Sequence, residues 1–302
     1  MSLKFIISIS LSLLFLSVLA IESSASHKLK KKKISVLIID GQNNHKNWKE
    51  TSPIIKKRLE ESGLFKVDII STPPTGGNMD LFKPNFSNYQ VVLSNYNGES
   101  WSENTNNEFE KFVKNGGGFV SIHAADNAFP KWQSYNEMIG IGGWNGRTEK
   151  IGPYVYFDES KNEVVKDSSA GRTGFHGLKH QFQIKIRDKN HPITKGMPAI
   201  WLHETDELYE ALRGSAKNMT VLATAFGNKD QKGREKHEPM LMTINYGKGK
   251  IFHTTLGHSN ESQNCVGFIT FLLRGTEWVA TGKVSQSIPT DFPSADKVSL
   301  RN

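Results

Sequence analysis

FVKNGGGFVSIHAAD, residues 112–126, is the stretch that decides the fold. Just before and into it, residues 104–115 carry Phe109, Phe112 and Val113 at helical spacing and stop at Gly116-Gly117-Gly118. A short apolar strand over residues 119–123 follows at once. Helix, glycine stop and buried strand make half of a βαβ unit, and the alternation continues upstream. Residues 34–39 (ISVLII) form a continuous apolar run of the kind buried on both faces of a parallel sheet, ending at Asp40-Gly41. A helix over residues 48–62 comes next, with Pro53 near its start and Gly63 as its stop, then strands at 67–70 and 89–94. This order predicts a doubly wound, mostly parallel α/β sheet with helices on both faces. In such sheets function gathers at the carboxyl ends of the strands, so the loops 40–48, 95–101 and 123–129 frame the expected site.

Downstream the texture changes. Residues 140–187 are rich in glycine and aromatic side chains and read as an excursion from the sheet that covers the site. A strand over 221–226 follows, then a hairpin of 239–245 and 249–255 turned at Tyr246-Gly247-Lys248. A last helix over 263–277 contains Cys265 and buries Val266, Ile269, Leu272 and Leu273, and residues 281–302 read as a C-terminal tail. The Gly116 to Gly118 run is no phosphate cradle, because it precedes a strand instead of joining strand to helix.

The chain has 302 residues, with 38 Lys+Arg against 30 Asp+Glu, a net charge of +8. Lys4, Lys28, Lys30, Lys31, Lys32, Lys33 and Glu22 all fall in the first 33 residues; without them 32 basic and 29 acidic residues remain, a net +3. A nearly balanced body does not suit a protein built on phosphate contacts, so a nucleic-acid partner is not expected. Lys4 before the apolar run 5–20 and small residues up to Ser26 predicts a signal peptide over residues 1–26. A basic tail over 27–33 and a periplasmic or secreted protein follow, with no stable membrane span after cleavage, since a span needs about 20 apolar residues. Cys265, the single cysteine, excludes a disulfide framework and a cysteine metal cluster.

Five blocks carry a more specific signal: GQNNHKNW (41–48), the FVKNGGGFVSIHAAD stretch, HPITKGMP (191–198), DELYEAL (206–212) and EPMLMTINYGKGKIFHTTLGH (238–258). In this order, over residues 34–280, the chain resembles the trehalose-utilisation (ThuA-like) family, which is similar in fold to class I glutamine amidotransferases. The resemblance implies one flavodoxin-like domain over 34–280 and a role in carbohydrate metabolism. Amidotransferases place a nucleophilic Cys on the strand-to-helix turn that here reads Ser121-Ile122-His123-Ala124-Ala125, so glutamine amidotransferase activity is not expected.

His123, at the end of a buried strand, is the expected proton-transfer residue. Asp126 is expected to orient that ring or bind a sugar hydroxyl, with helix capping as the plain alternative. Asn44, His45 and Trp48 after the first strand suit a sugar, whose hydroxyls need donors and acceptors and whose ring face stacks on aromatics. Asn95, Asn97 and Trp101 form a weaker group of the same kind, and Trp144 is expected to add an aromatic wall. Within HETDE (203–207), Asp206 and Glu207 are favoured over Glu204 as the acidic partners of His123, and His258 is expected to close the site. His176, His180 and His237 are placed in exposed loops outside it.

The combined expectation is an exported carbohydrate-processing protein that acts by acid/base chemistry on a disaccharide, glycoside or keto-sugar derivative. No cofactor is required by this reading. A non-catalytic sugar-binding module is one alternative. A metal-dependent hydrolase, with the acids and His123 or His258 holding a divalent ion, is the other. Nothing in the pattern fixes an oligomeric state.

Overall fold

The computed structural model describes residues 32–301; the expected signal peptide and most of the basic tail lie outside the described residues. The first half follows the apolar periodicity: β1 (Ile34–Asp40), α1 (Trp48–Glu61), β2 (Phe65–Ser71), β3 (Val91–Ser94), α2 (Glu103–Lys114) and β4 (Gly118–Ile122). Next come α3 (Gln133–Ile139), β5 (Tyr154–Asp158), β6 (Glu163–Asp167), β7 (Phe175–His176), β8 (His180–Ile186) and β9 (Ile200–Asp206). The chain ends with β10 (Tyr209–Glu210), β11 (Met219–Phe226), β12 (His237–Tyr246), β13 (Gly249–Thr254), α4 (Asn260–Asn264) and α5 (Val266–Thr281).

The parallel section of the sheet runs β2-β1-β3-β4-β13. Antiparallel strands extend it through β12, β11, β8 and β9, while β5 pairs with β12 and carries β6. This is the flavodoxin-like α/β architecture with an antiparallel wing. β1 shows why the sheet is covered twice. Val36 and Ile38 enter the core beneath α1 and α5, while Leu37 and Ile39 enter the opposite core beneath α2 and α3. Successive strand residues point to opposite faces, so a strand that is apolar throughout needs a layer on each side.

Local chemistry sets the ends of α2. Ser102 accepts from the Thr105 backbone N–H at 3.2 Å, Phe109 and Val113 are buried, and the Gly116 N–H closes the helix onto the Val113 carbonyl at 2.9 Å. Gly116 has φ of +114° and so tolerates the turn that starts β4.

Two expectations change. The excursion over 140–187 is only partly a cover, since β5, β6 and β8 join the main sheet and β7 alone pairs with β10 outside it. The last helix is broken: Cys265 is extended (φ −61°, ψ 127°) and stands at the N-cap of α5, not inside a helix. The break is bridged by the C-terminal segment, because Cys265 pairs with Leu300 and the Val266 N–H donates to the Ser299 carbonyl. Residues 281–301 lie against the body, with Phe292 edge-on to Trp201 at 5.5 Å.

Candidate functional site

The carboxyl ends of β1, β4, β9 and β13 converge on one carboxylate. Glu207, just past β9, is 7% exposed at its side chain, and its Oε2 lies 3.6 Å from His45 Nε2, 3.6 Å from His123 Nε2 and 3.2 Å from His258 Nδ1. Its Oε1 faces His176 Nε2 at 3.8 Å and Lys179 Nζ at 3.6 Å. Lys179 also donates to His258 Nε2 at 2.6 Å.

Each side chain is held by its own strand end. His123 follows β4 with φ of +47°, a left-handed conformation that costs of order 1 kcal/mol or more in a non-glycine residue. It turns the ring out of the sheet, where Nδ1 donates to the Thr255 carbonyl at 2.7 Å and Tyr209 packs at 4.2 Å between centroids. Thr255 follows β13, the parallel neighbour of β4, so sheet pairing fixes the imidazole. His45 sits on the β1–α1 loop, where its N–H donates to Asn43 Oδ1 at 3.0 Å and Asn43 Nδ2 donates to the Asn95 carbonyl at 3.3 Å.

Asp206 lies beneath this cluster and does not face the cleft. It is fully buried, accepting from His203 Nε2 (2.9 Å) and from the backbone N–H groups of Glu207 (2.8 Å), Gly257 (2.8 Å) and His258 (3.0 Å). Of the two expected acidic partners of His123, Glu207 is the one that faces it, amid a ring of bases, while Asp206 anchors two members of the site through their backbone.

The electrostatics follow from this crowding. Burial would raise the Glu207 carboxyl, but His123 and His258 hold it well below the usual carboxylate range. Burial, reinforced by His123 and His258, pushes His45 down to about 3. For His123 burial acts downward too, but Glu207, Asp206 and the Thr255 carbonyl together outweigh it, so the ring stands above its ordinary value. Below the site, burial is again outweighed at His203, which Asp206 and Cys265 push up to about 9.

The other expected site residues divide. Asn44 reaches the cluster, its Nδ2 lying 3.2 Å from His45 Nε2, and its Oδ1 accepts from Asn97 Nδ2 at 2.6 Å. Asn145 Nδ2 extends this amide row to Asn97 Oδ1 at 3.4 Å. Trp144 forms a wall, 4.5 Å from Tyr209 and 6.3 Å from His176 between ring centroids. Trp48 instead starts α1, its N–H donating to the His45 carbonyl, and its indole lies beneath the Lys49 ammonium. Asp126 is fully buried with Oδ2 3.4 Å from His253 Nε2, and neither caps a regular α-helix nor touches His123. Asn95 bonds Thr51 and Ser52, and Trp101 is packed among Phe82, Tyr96, Phe109 and Phe129. Glu238 is buried beside Glu210 and Arg234.

Sequence reasoning missed His176, Lys179 and Tyr209. His176 pairs in register with Tyr209 across the β7–β10 ribbon, which carries it and the following Lys179 to the open edge of Glu207. Tyr209, two residues after Glu207 in DELYEAL, was the one signal within reach.

A family model described as trehalose utilisation (ThuA) matches residues 35–279. Among solved structures, a putative ThuA-like protein from Parabacteroides merdae is 47% identical with a TM-score of 0.86, the match covering 89% of this chain and 98% of that one. A second putative ThuA-like protein, from Bacteroides uniformis, is 18% identical with a TM-score of 0.56, covering 83% and 93% of the two chains, and shares the fold. No curated protein matches the chain.

Proposed function

The chain belongs to the ThuA, or trehalose-utilisation, family, whose role is carbohydrate-related, and on that premise we propose that it is an exported enzyme acting on a disaccharide, glycoside or keto-sugar derivative. The observation that carries this reading is the convergence of His45, His123, His176, Lys179 and His258 on the single buried carboxylate of Glu207. Sugar-binding modules have no need of so many ionisable groups on one buried acid. Bases clustered around one carboxylate at the strand ends are what proton-transfer chemistry requires.

Roles follow from accessibility. Side chains of Lys179 and His176 are 51% and 38% exposed, so they meet the substrate first and carry the proton to or from it. His45, His123, His258 and Glu207 form the floor against which the reacting oxygen rests. Trp144 offers a ring face to the pyranose, and the amide row Asn44-Asn97-Asn145 offers donors and acceptors to its hydroxyls. Such an arrangement suits removal of the acidic proton beside a sugar carbonyl, or protonation of a glycosidic oxygen. Among the described residues no helix is long and apolar enough to cross a membrane, which is compatible with release after export.

Screening disaccharides, aryl glycosides and their keto derivatives for turnover tests the proposal. Lys179→Met should then lower kcat by about 10²- to 10⁴-fold while ligand affinity stays within a few-fold of wild type. Binding without turnover of any of these sugars would leave a binding module.

A further inference from the structure

We propose that His45, His123, Glu207 and His258 form a binding site for one divalent first-row transition metal ion. One ligand atom from each residue lies within 4.8 Å of the other three. Ligands about 2.0–2.2 Å from a tetrahedral ion stand roughly 3.3–3.5 Å apart. The three nitrogens sit 3.6, 3.6 and 3.2 Å from Glu207 Oε2, close to that spacing before any ion draws them in.

Direct pairing within the cluster leaves two buried nitrogens unsatisfied. His123 Nε2 and His258 Nδ1 are both buried without a hydrogen-bond partner, although both face Glu207. A buried polar atom left unpaired is destabilising, and a shared cation would satisfy both nitrogens together. The His123 tautomer already suits ligation. Its Nδ1 donates to the Thr255 carbonyl, so the Nε2 lone pair of the neutral ring points at the cluster. Asp206 supplies the corresponding support for two of the other three strand ends, through the backbone of Glu207 and His258.

Three imidazoles and one carboxylate select a borderline ion such as Zn²⁺, Co²⁺ or Fe²⁺ over Ca²⁺ or Mg²⁺, which prefer oxygen ligands throughout. Ligation through His258 Nδ1 moves that ring's proton to Nε2. Lys179 then gives up its bond to this nitrogen and keeps its approach to Glu207 Oε1. The cluster opens toward His176 and Lys179, the side from which a substrate oxygen would approach a bound ion as a fifth ligand. Metal binding stands on the donor geometry alone, and only its use in turnover rests on the carbohydrate reading.

The test uses untagged full-length protein, stripped with a chelator and titrated with Co²⁺ and Zn²⁺. Visible Co²⁺ absorption, elemental analysis and thermal melting are followed. One equivalent per chain, ligand-field bands of a nitrogen-rich site and a raised melting temperature are expected. His45→Gln and His123→Ala should each weaken binding by about 100-fold or more, whereas His180→Ala, at a histidine outside the cluster, should not. If His123→Ala fails to fold, the partly exposed His45→Gln decides. Substoichiometric binding, or binding that His45→Gln leaves intact, overturns the proposal. A loaded protein that turns over no sugar would sink the carbohydrate reading and spare the metal site; turnover indifferent to metal removal, with no Co²⁺ bound, would do the reverse.

Discussion

Asp206 and Glu207 are adjacent acids, and only the second faces the cleft. Asp206 closes β9 with its side chain under the sheet end, where three backbone N–H groups and His203 take up its oxygens. Asp206→Asn keeps the shape but removes the charge that His203 needs and turns one acceptor into a donor. Breaking a buried pair of this kind costs about 3–5 kcal/mol, so urea denaturation should show a loss of that size. A change below about 0.5 kcal/mol would mean that Asp206 does not anchor the site. Residue types at 203–207 make an acid/base site legible, whereas their spacing does not tell which acid is exposed. The strand's two-residue period places neighbours on opposite sides, and only pairing with β8 fixes which side is in.

Elements were legible wherever the apolar period was long and uninterrupted, as in β1, α1, α2 and β4. The last helix was misread because Cys265 is apolar and falls on the helical period, so nothing local signals the break that the C-terminal segment imposes there. α5 offers a sharper test of local against tertiary effects. Replacing glycine by alanine in a helix should gain about 1 kcal/mol from propensity alone. At Gly267, however, an added Cβ would lie 2.2 Å from the ring of Trp201, which is fully buried. Gly267→Ala should therefore destabilise, by about 1–3 kcal/mol or more, as measured by chemical denaturation. Stabilisation instead would show that Trp201 has room to move. At the start of α2, Ser102→Ala removes the bond to the Thr105 N–H and should cost about 1 kcal/mol in the same assay.

Across the whole molecule, the antiparallel wing buries ionisable groups that sequence places in loops. Glu238, 1% exposed on β12, is pushed up to about 8 by burial and by the nearby Glu210 charge, against the pull of Arg234 and Lys236. Its folded value thus exceeds the ordinary 4.5, so the folded state holds this proton more tightly than the unfolded chain does. The resulting stability is complete below pH 4.5 and is lost as pH rises through about 8. Melting temperatures of wild type should accordingly fall between pH 5 and about 8.5 more steeply than those of Glu238→Gln; parallel profiles would place a free carboxylate there. The sequence by itself determined the order of strands and helices from β1 to β4, the family, and the loops 40–48 and 123–129 that feed the site, because these depend on local periodicity and on contiguous blocks. The tertiary structure alone decided that Glu207 is the centre, that Asp206, Asp126 and Trp48 serve elsewhere, and that His176 and Lys179 join from the β7–β10 ribbon. Those outcomes depend on pairing between distant strands and on which face each strand turns inward, and neither leaves a local pattern in the chain.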